Sequence, residues 1–278
     1  MLLPATDSDY LIDGSDPVTQ RIVARRKTES AAARAGANAE LDIAYGPHPR
    51  ARFDLFWPQG TPRAVMIFIH GGWWKSGSKD DRAFIAPAWT GQDVAVATIN
   101  YPLAPEAALT EITANVKTAV DAICAHVHGR TKKVVPYVIA GNSAGGHLTA
   151  YCASAGKQAA HGKLIGACAI SGLYDLAPLA SVFPNEWLHL TDEAIATLSP
   201  IRLQPSQGAD YLLLVGADEP QGFKAQQRVF ADYLQGRNIP CKTETVSGHG
   251  HLSIIDNLVD PASTAFRWIS ARMDTLKG

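Results

Sequence analysis

Apolar residues crowd this chain in short unbroken runs. Ala64 to Ile69, Val94 to Ile99, Val134 to Ala140, Leu164 to Ile170 and Tyr211 to Val215 carry almost no polar side chains. Runs of this length without polar alternation mark strands covered on both faces. The stretch from Arg52 behaves differently, because Phe53, Leu55 and Trp57 alternate with other residues as in a half-buried strand, and Pro58 ends it. Leu109, Ile112, Val116, Val120 and Ile123 recur at three- and four-residue spacing and predict a helix over about 109–125. Further helices are predicted after Ser143, through Val229 and Leu234, and at the C-terminus up to about Met273, with a last strand from Cys241 to Val246. Near the N-terminus, Asp16-Pro17 reads as the N-cap and first-turn proline of a helix running toward Gly36. Strands alternating with amphipathic helices predict an α/β fold, a mostly parallel sheet with helices on both faces. Between Ala177 and Pro200 the periodicity breaks down around Phe183-Pro184 and Trp187. A lid-like insertion over the C-terminal edge of the sheet is expected there.

Composition narrows the class. The 278 residues suffice for one large domain, 1–278, with residues 1–45 as a helical cap segment and 177–200 as a small cap insertion. A formal charge of −1 gives no basic surface for nucleic acid. No apolar stretch approaches membrane-spanning length, and the N-terminus lacks a basic, apolar leader, so a cytoplasmic protein without membrane contact is expected. Cys124, Cys152, Cys168 and Cys241 lack metal-binding spacing and read as free thiols. Arg21, Arg25, Arg26 and Lys27 read as a solvated helix side rather than an anion-binding face.

The chemistry gathers in the loops after the strands. Gly141-Asn142-Ser143-Ala144-Gly145 is a G-x-S-x-G turn between a strand and a helix, which presents a serine as nucleophile. Such a serine needs a base, an orienting acid and donors for the developing oxyanion. Asp218, after the strand ending at Val215, is the expected acid, with Asp175 as rival and the adjacent Glu219 expected to point elsewhere. Ser247-Gly248-His249-Gly250-His251 offers two bases, of which His251 is preferred for its place next to the following helical segment. His70-Gly71-Gly72-Trp73-Trp74 predicts an oxyanion loop, with the N–H groups of Gly72, Trp73 and Ala144 as donors. Trp74, Phe183 and Trp187 are candidates for an aromatic substrate pocket. Neither the His249/His251 pair nor His126/His128 has a grouping that completes a metal site, so neither metal nor cofactor is expected.

These pieces, together with Tyr45-Gly46, Phe53-Asp54-Leu55-Phe56, Tyr101-Pro102-Leu103-Ala104-Pro105, Ser143-Ala144-Gly145-Gly146-His147-Leu148 and Ser171-Gly172-Leu173-Tyr174-Asp175-Leu176, resemble the α/β-hydrolase fold. Within it they resemble the kynurenine formamidase (arylformamidase) branch of the hormone-sensitive-lipase-like esterases, from about Tyr45 to the C-terminus. The resemblance implies Ser143 as nucleophile, Asp218 and His251 as partners and the Gly72 loop as oxyanion hole. It also implies a small acyl amide or ester of an aromatic compound as substrate, N-formylkynurenine being the leading candidate. A general short-chain carboxylesterase is the alternative, and a non-catalytic ligand-binding homologue a remoter one. Two positions depart from the family pattern: Trp73 stands where tyrosine is usual, and Asn142 and Gly146 replace the His and Ala of animal formamidases. The sequence is also compatible with a homodimer.

Overall fold

The computed structural model describes residues 5–154 and 159–274. Helix α1 spans Pro17–Arg34, and β1 (Ala39–Ala44), β2 (Arg52–Phe56) and β3 (Ala64–Ile69) follow. Next come α2 (Ala86–Thr90), β4 (Val94–Ile99), α3 (Leu109–Thr131), β5 (Val135–Asn142) and α4 (Ala144–Cys152). Strand β6 (Gly162–Ile170) leads through α5 (Asn185–Leu188) and α6 (Asp192–Leu198) to β7 (Asp210–Gly216). The chain closes with α7 (Gln221–Gln235), β8 (Cys241–Val246) and α8 (Thr264–Asp274). Among the described residues the strands form one sheet in the order β1-β2-β4-β3-β5-β6-β7-β8. β2 runs antiparallel to both its neighbours, and every pair from β4 to β8 is parallel.

The apolar runs sit where a two-sided sheet needs them. On β3, Val65, Ile67 and Ile69 join the core on one face while Ala64, Met66 and Phe68 join the core on the other. On β7, Tyr211, Leu213 and Val215 alternate in the same way with Leu212 and Leu214. Side chains of successive strand residues point to opposite faces, so a continuous apolar run feeds both layers. The first layer carries α3, α4, α7 and the segment after β6; the second carries α2, α8 and the turn at Ile254–Leu258.

The predicted N-cap is present: Asp16 accepts hydrogen bonds from the N–H groups of Val18 and Thr19, both at 2.9 Å, and Pro17 opens α1. This helix buries little apolar surface, and its attachment is polar. Ser30 Oγ accepts from the Phe84 N–H at 3.0 Å. Arg34 bridges to Asp54 at 2.6 Å and also contacts Asp80. Lys79 Nζ, itself buried, meets Asp54 at 2.6 Å and Asp80 at 2.8 Å, and Asp54 accepts from the Asp42 N–H at 2.8 Å. A buried carboxylate is tolerable only with such a set of donors and cations.

Replacing Asp54 with Ala should therefore cost about 3 kcal/mol, because Lys79 and Arg34 would lose the buried carboxylate they share and keep only the exposed ones of Asp42 and Asp80. A urea titration reads the change. Combining Asp54→Leu with Lys79→Met should recover much of the loss, and a double variant as unstable as Asp54→Ala would contradict the account.

Candidate active site

The loops after β3, β5, β6, β7 and β8 all leave the carboxyl edge of neighbouring parallel strands, the edge where doubly wound sheets place their sites. Ser143 occupies the first of them to constrain the others. Its backbone has φ 59° and ψ −123°, a conformation held between β5 and α4 by two hydrogen bonds. The Ser143 N–H donates to the Ile170 carbonyl at 2.8 Å, and the His147 N–H donates to the Ser143 carbonyl at 3.0 Å. The flanking glycines have no room for a methyl group. A Cβ on Gly145 would fall 2.1 Å from the Ile69 carbonyl oxygen, and one on Gly141 would fall 2.4 Å from that of Gly145. One on Gly71 would fall 3.0 Å from the Ser143 Cβ, so the glycine loop after β3 lies directly against the serine turn. Ser143 is 3% exposed.

Across the edge, His251 Nδ1 lies 2.6 Å from Glu219 Oε2, both side chains buried. The acid facing the histidine is thus Glu219, and Asp218 does not hold the place expected of it. Asp218 is exposed, its N–H donates to the His249 carbonyl at 3.1 Å, and its carboxylate has no partner among the described residues. The cause is the turn after β7. The Glu219 N–H donates back to the Gly216 carbonyl at 3.2 Å, which swings the longer glutamate side chain over the strand end. There Oε1 accepts from the Gly216 N–H and from Ser171 Oγ, each at 2.6 Å. Three donors hold the carboxylate in one orientation. With Glu219 accepting, Nδ1 of His251 is the donor, and in the neutral imidazole this pairing leaves Nε2 as the acceptor. Nor does Asp218 cap α7, whose N-cap is Pro220.

The rival residues have other partners. Asp175 accepts from the Ala177 N–H at 3.1 Å in a local turn. The His249 carbonyl is packed onto Gly216, where a Cβ would come within 2.1 Å of it, and among the described residues its ring makes no hydrogen bond to Glu219. Among the described residues no cluster of three His, Cys, Asp or Glu side chains could hold a metal ion, and no helix is long and apolar enough to cross a membrane.

The loop after β3 takes left-handed backbone at three consecutive residues: φ is 120° at Gly72, 53° at Trp73 and 55° at Trp74. The Lys75 and Ser76 N–H groups close it by donating to the Gly72 carbonyl at 3.0 and 2.9 Å. No acceptor among the described residues takes the N–H of Gly72 or Trp73. Trp187 Nε1 donates to the Trp73 carbonyl at 3.0 Å, and Lys75 Nζ sits 4.1 Å over the Trp187 ring. Trp73, Phe183 and Trp187 form one half-buried aromatic group, with ring centroids 5.1 Å apart for Trp73–Phe183 and 5.8 Å for Phe183–Trp187. Trp74 lies behind it, fully buried and edge-on to His147 at 5.1 Å.

Two aromatic residues at the site, Phe223 and Tyr10, are not marked by any sequence motif. Phe223 places its ring 4.3 Å from that of His251 and 6.0 Å from that of Trp73, tilted against both, and so joins the histidine and the glycine loop through one side chain. Tyr10 packs edge-on to Phe223 at 5.5 Å and receives a 3.2 Å hydrogen bond from Gln226 Nε2. The apolar face of α7 was visible as periodicity, but nothing local says which of its residues meets the histidine.

The family model described as BD-FAE matches residues 53–171. The chain is 28% identical to the kynurenine formamidase of Danio rerio over 88% of its own length and 86% of that protein. It is 28% identical to the kynurenine formamidase of Salmo salar with the same coverage. A solved structure from Silicibacter sp. TM1040, described provisionally as a thioesterase, is 27% identical, has a TM-score of 0.85 and is covered over 98% of its chain against 95% of this one. Esterase B of Lactobacillus rhamnosis shares the fold at a TM-score of 0.72 and 15% identity, over 93% of this chain and 91% of that one.

Two other histidines near the site are built to stay neutral. Burial pushes His70 down to about 3 and His147 down to about 4, and His147 Nε2 donates to the Leu198 carbonyl at 2.9 Å. A depressed histidine pKa favours the unfolded state in acid, since the unfolded chain takes up protons from about pH 6.5 downward and the folded one does not. Each group should thus cost about 1.4 kcal/mol of stability per pH unit below that point, until its folded pKa is reached. Urea midpoints taken between about pH 7.5 and 5.5 should fall with pH, and His147→Gln should flatten the slope. An unchanged slope in that variant would refute the assignment.

Proposed function

We propose that this hydrolase, an α/β-hydrolase of the arylformamidase and hormone-sensitive-lipase-like esterase group, cleaves a small acyl group from an aromatic amide or ester through Ser143, His251 and Glu219. The observation that carries the reading is the buried Glu219–His251 pair, which leaves Nε2 free to act as base on the same sheet edge as the Ser143 turn. His251 removes the hydroxyl proton as Ser143 Oγ attacks the carbonyl carbon. The resulting oxyanion is held by the N–H groups of Gly72, Trp73 and Ala144, and the field of α4 favours the same charge. Collapse breaks the C–N or C–O bond, and His251 returns its proton to the leaving amine or alcohol. Water, deprotonated by His251, then attacks the acyl-serine and releases formate or acetate, restoring the serine hydroxyl.

The aromatic group of Trp73, Phe183 and Trp187 fits a flat leaving group, and the relatives named kynurenine formamidase support N-formylkynurenine as the candidate substrate, with kynurenine and formate as products. Trp74, fully buried behind the glycine loop, limits the acyl side to formyl and acetyl groups. The segment 177–200 acts as the lid over this site.

Glu219→Gln should lower kcat by about 10⁴-fold, the loss that follows when the acid of such a triad no longer fixes the histidine tautomer. Asp218→Asn should leave kcat within about twofold, as surface changes away from the chemistry do. The opposite order would return the acid to Asp218. Turnover of N-formylkynurenine beside p-nitrophenyl acetate and butyrate separates an arylformamidase from a general carboxylesterase. Preference for butyrate would sink the small-acyl reading.

A further inference from the structure

Helix α1 precedes every catalytic motif in the chain, yet one of its side chains ends against the loop that carries the base. Arg26 is 4% exposed, although it reads in the sequence as part of a solvated basic face. Its guanidinium donates from Nη1 to the Leu252 carbonyl at 2.6 Å and from Nη2 to the Ser253 carbonyl at 3.2 Å. Nε and Nη2 also donate to Asp256 Oδ1 at 2.9 and 2.7 Å. One rigid fork therefore holds the two carbonyls immediately after His251 and the carboxylate three residues further on. The loop itself is closed by the Gly250 N–H on Ser253 Oγ at 3.0 Å and the Ile254 N–H on the Gly250 carbonyl at 3.1 Å. Behind the fork, the Arg26 carbon lies 5.2 Å over the Phe84 ring, and Ser30 ties the same turn of helix to the Phe84 N–H.

Geometry of this kind has a specific consequence. The His251 ring is fixed at Nδ1 by Glu219, and the fork adds an attachment from outside the loop to the backbone that follows it. A planar guanidinium supplies several donors in fixed directions, whereas an ammonium supplies one compact charge. We propose that Arg26 is a positioning residue for His251, so that α1 is part of the catalytic apparatus and not a detachable cap. This rests on the serine-hydrolase reading above.

The test uses the full-length protein with Arg26→Ala, Arg26→Lys and, as a control, Arg25→Ala. Arg25 meets the other oxygen of Asp256 at 2.7 Å but is half exposed and touches neither carbonyl. Turnover of p-nitrophenyl acetate and the rate of labelling of Ser143 by a phosphonate are measured well below each variant's melting temperature. Arg26→Ala should lose about a hundredfold in kcat with KM nearly unchanged, the scale expected when a catalytic group is displaced by about 1 Å. Arg26→Lys should fall between it and the wild type, Arg25→Ala should match the wild type, and millimolar guanidinium chloride should restore part of the activity of Arg26→Ala. Should Arg26→Ala fail to fold, Arg26→Lys alone decides. Folded Arg26 variants with wild-type kcat, or a loss that appears in KM and is not rescued by guanidinium, would overturn the proposal. A wild-type protein that no phosphonate labels would instead overturn the reading on which it rests.

Discussion

A carboxylate taken out of water must be surrounded by donors, and Glu219 imposes that condition on three strands at once. Its oxygens accept from Ser171 at the end of β6, from the Gly216 N–H at the end of β7 and from His251 after β8. Withdrawing any of them would leave a buried charge short of a partner, at a cost well above that of an ordinary surface contact. The strand ends cannot move independently. The ladder continues past the strands themselves, since the Ser171 N–H donates to the Leu214 carbonyl at 2.7 Å and the Ser143 N–H to that of Ile170. Serine, acid and histidine are therefore registered to one another through backbone hydrogen bonds rather than through side-chain packing alone.

Steric exclusion acts on the other side of the serine. Gly71, Gly141 and Gly145 each stand where a Cβ would enter a neighbouring backbone atom, so the loop after β3 and the start of α4 come closer to Ser143 than any larger residue would allow. That closeness sets the N–H groups of Gly72 and Trp73, which meet no acceptor among the described residues, beside the serine turn. The Trp187 hydrogen bond to the Trp73 carbonyl then fixes the peptide between Trp73 and Trp74, which links the 177–200 segment to the shape of the loop.

Much of this architecture is written in the hydrophobic pattern. The predicted strands at 64–69 and 94–99 match β3 and β4, because a buried parallel strand leaves a run that a helix of that length would not, and 241–246 matches β8, a largely exposed edge strand. Strand β1 left no such trace. It is an edge strand with little burial, its register with β2 shifts between Glu40 and Ile43, and Asp42 has φ 55°. The serine turn, the glycine loop and the histidine loop were legible because glycine spacing reports backbone crowding. The acid was not, since the choice between Asp218 and Glu219 depends on one residue of turn geometry after Gly216. Arg26 was missed for a different reason: a buried cation and a solvated one look alike in a sequence until the partner, 230 positions away, is placed.

The attachment of α1 shows why that difference matters. Its buried residues are Arg26 and Ser30, not the leucines and isoleucines that usually dock a helix. Apolar docking is non-directional and tolerates sliding, whereas hydrogen bonds and forked ion pairs fix an orientation. At one end of the helix Arg34 and Lys79 share the buried Asp54 carboxylate; in its middle Arg26 grips the carbonyls after His251. Ahead of the helix, Asp7 accepts from the Phe183 N–H at 2.7 Å and Tyr10 packs on Phe223, which in turn meets the His251 ring. An element fastened by directional contacts, with Arg26 ending on the carbonyls of the two residues after His251, transmits position rather than merely covering the sheet. The N-terminal segment thus belongs to the same mechanical unit as Glu219, and the histidine is held from both sides, by the acid at its ring and by α1 at its backbone.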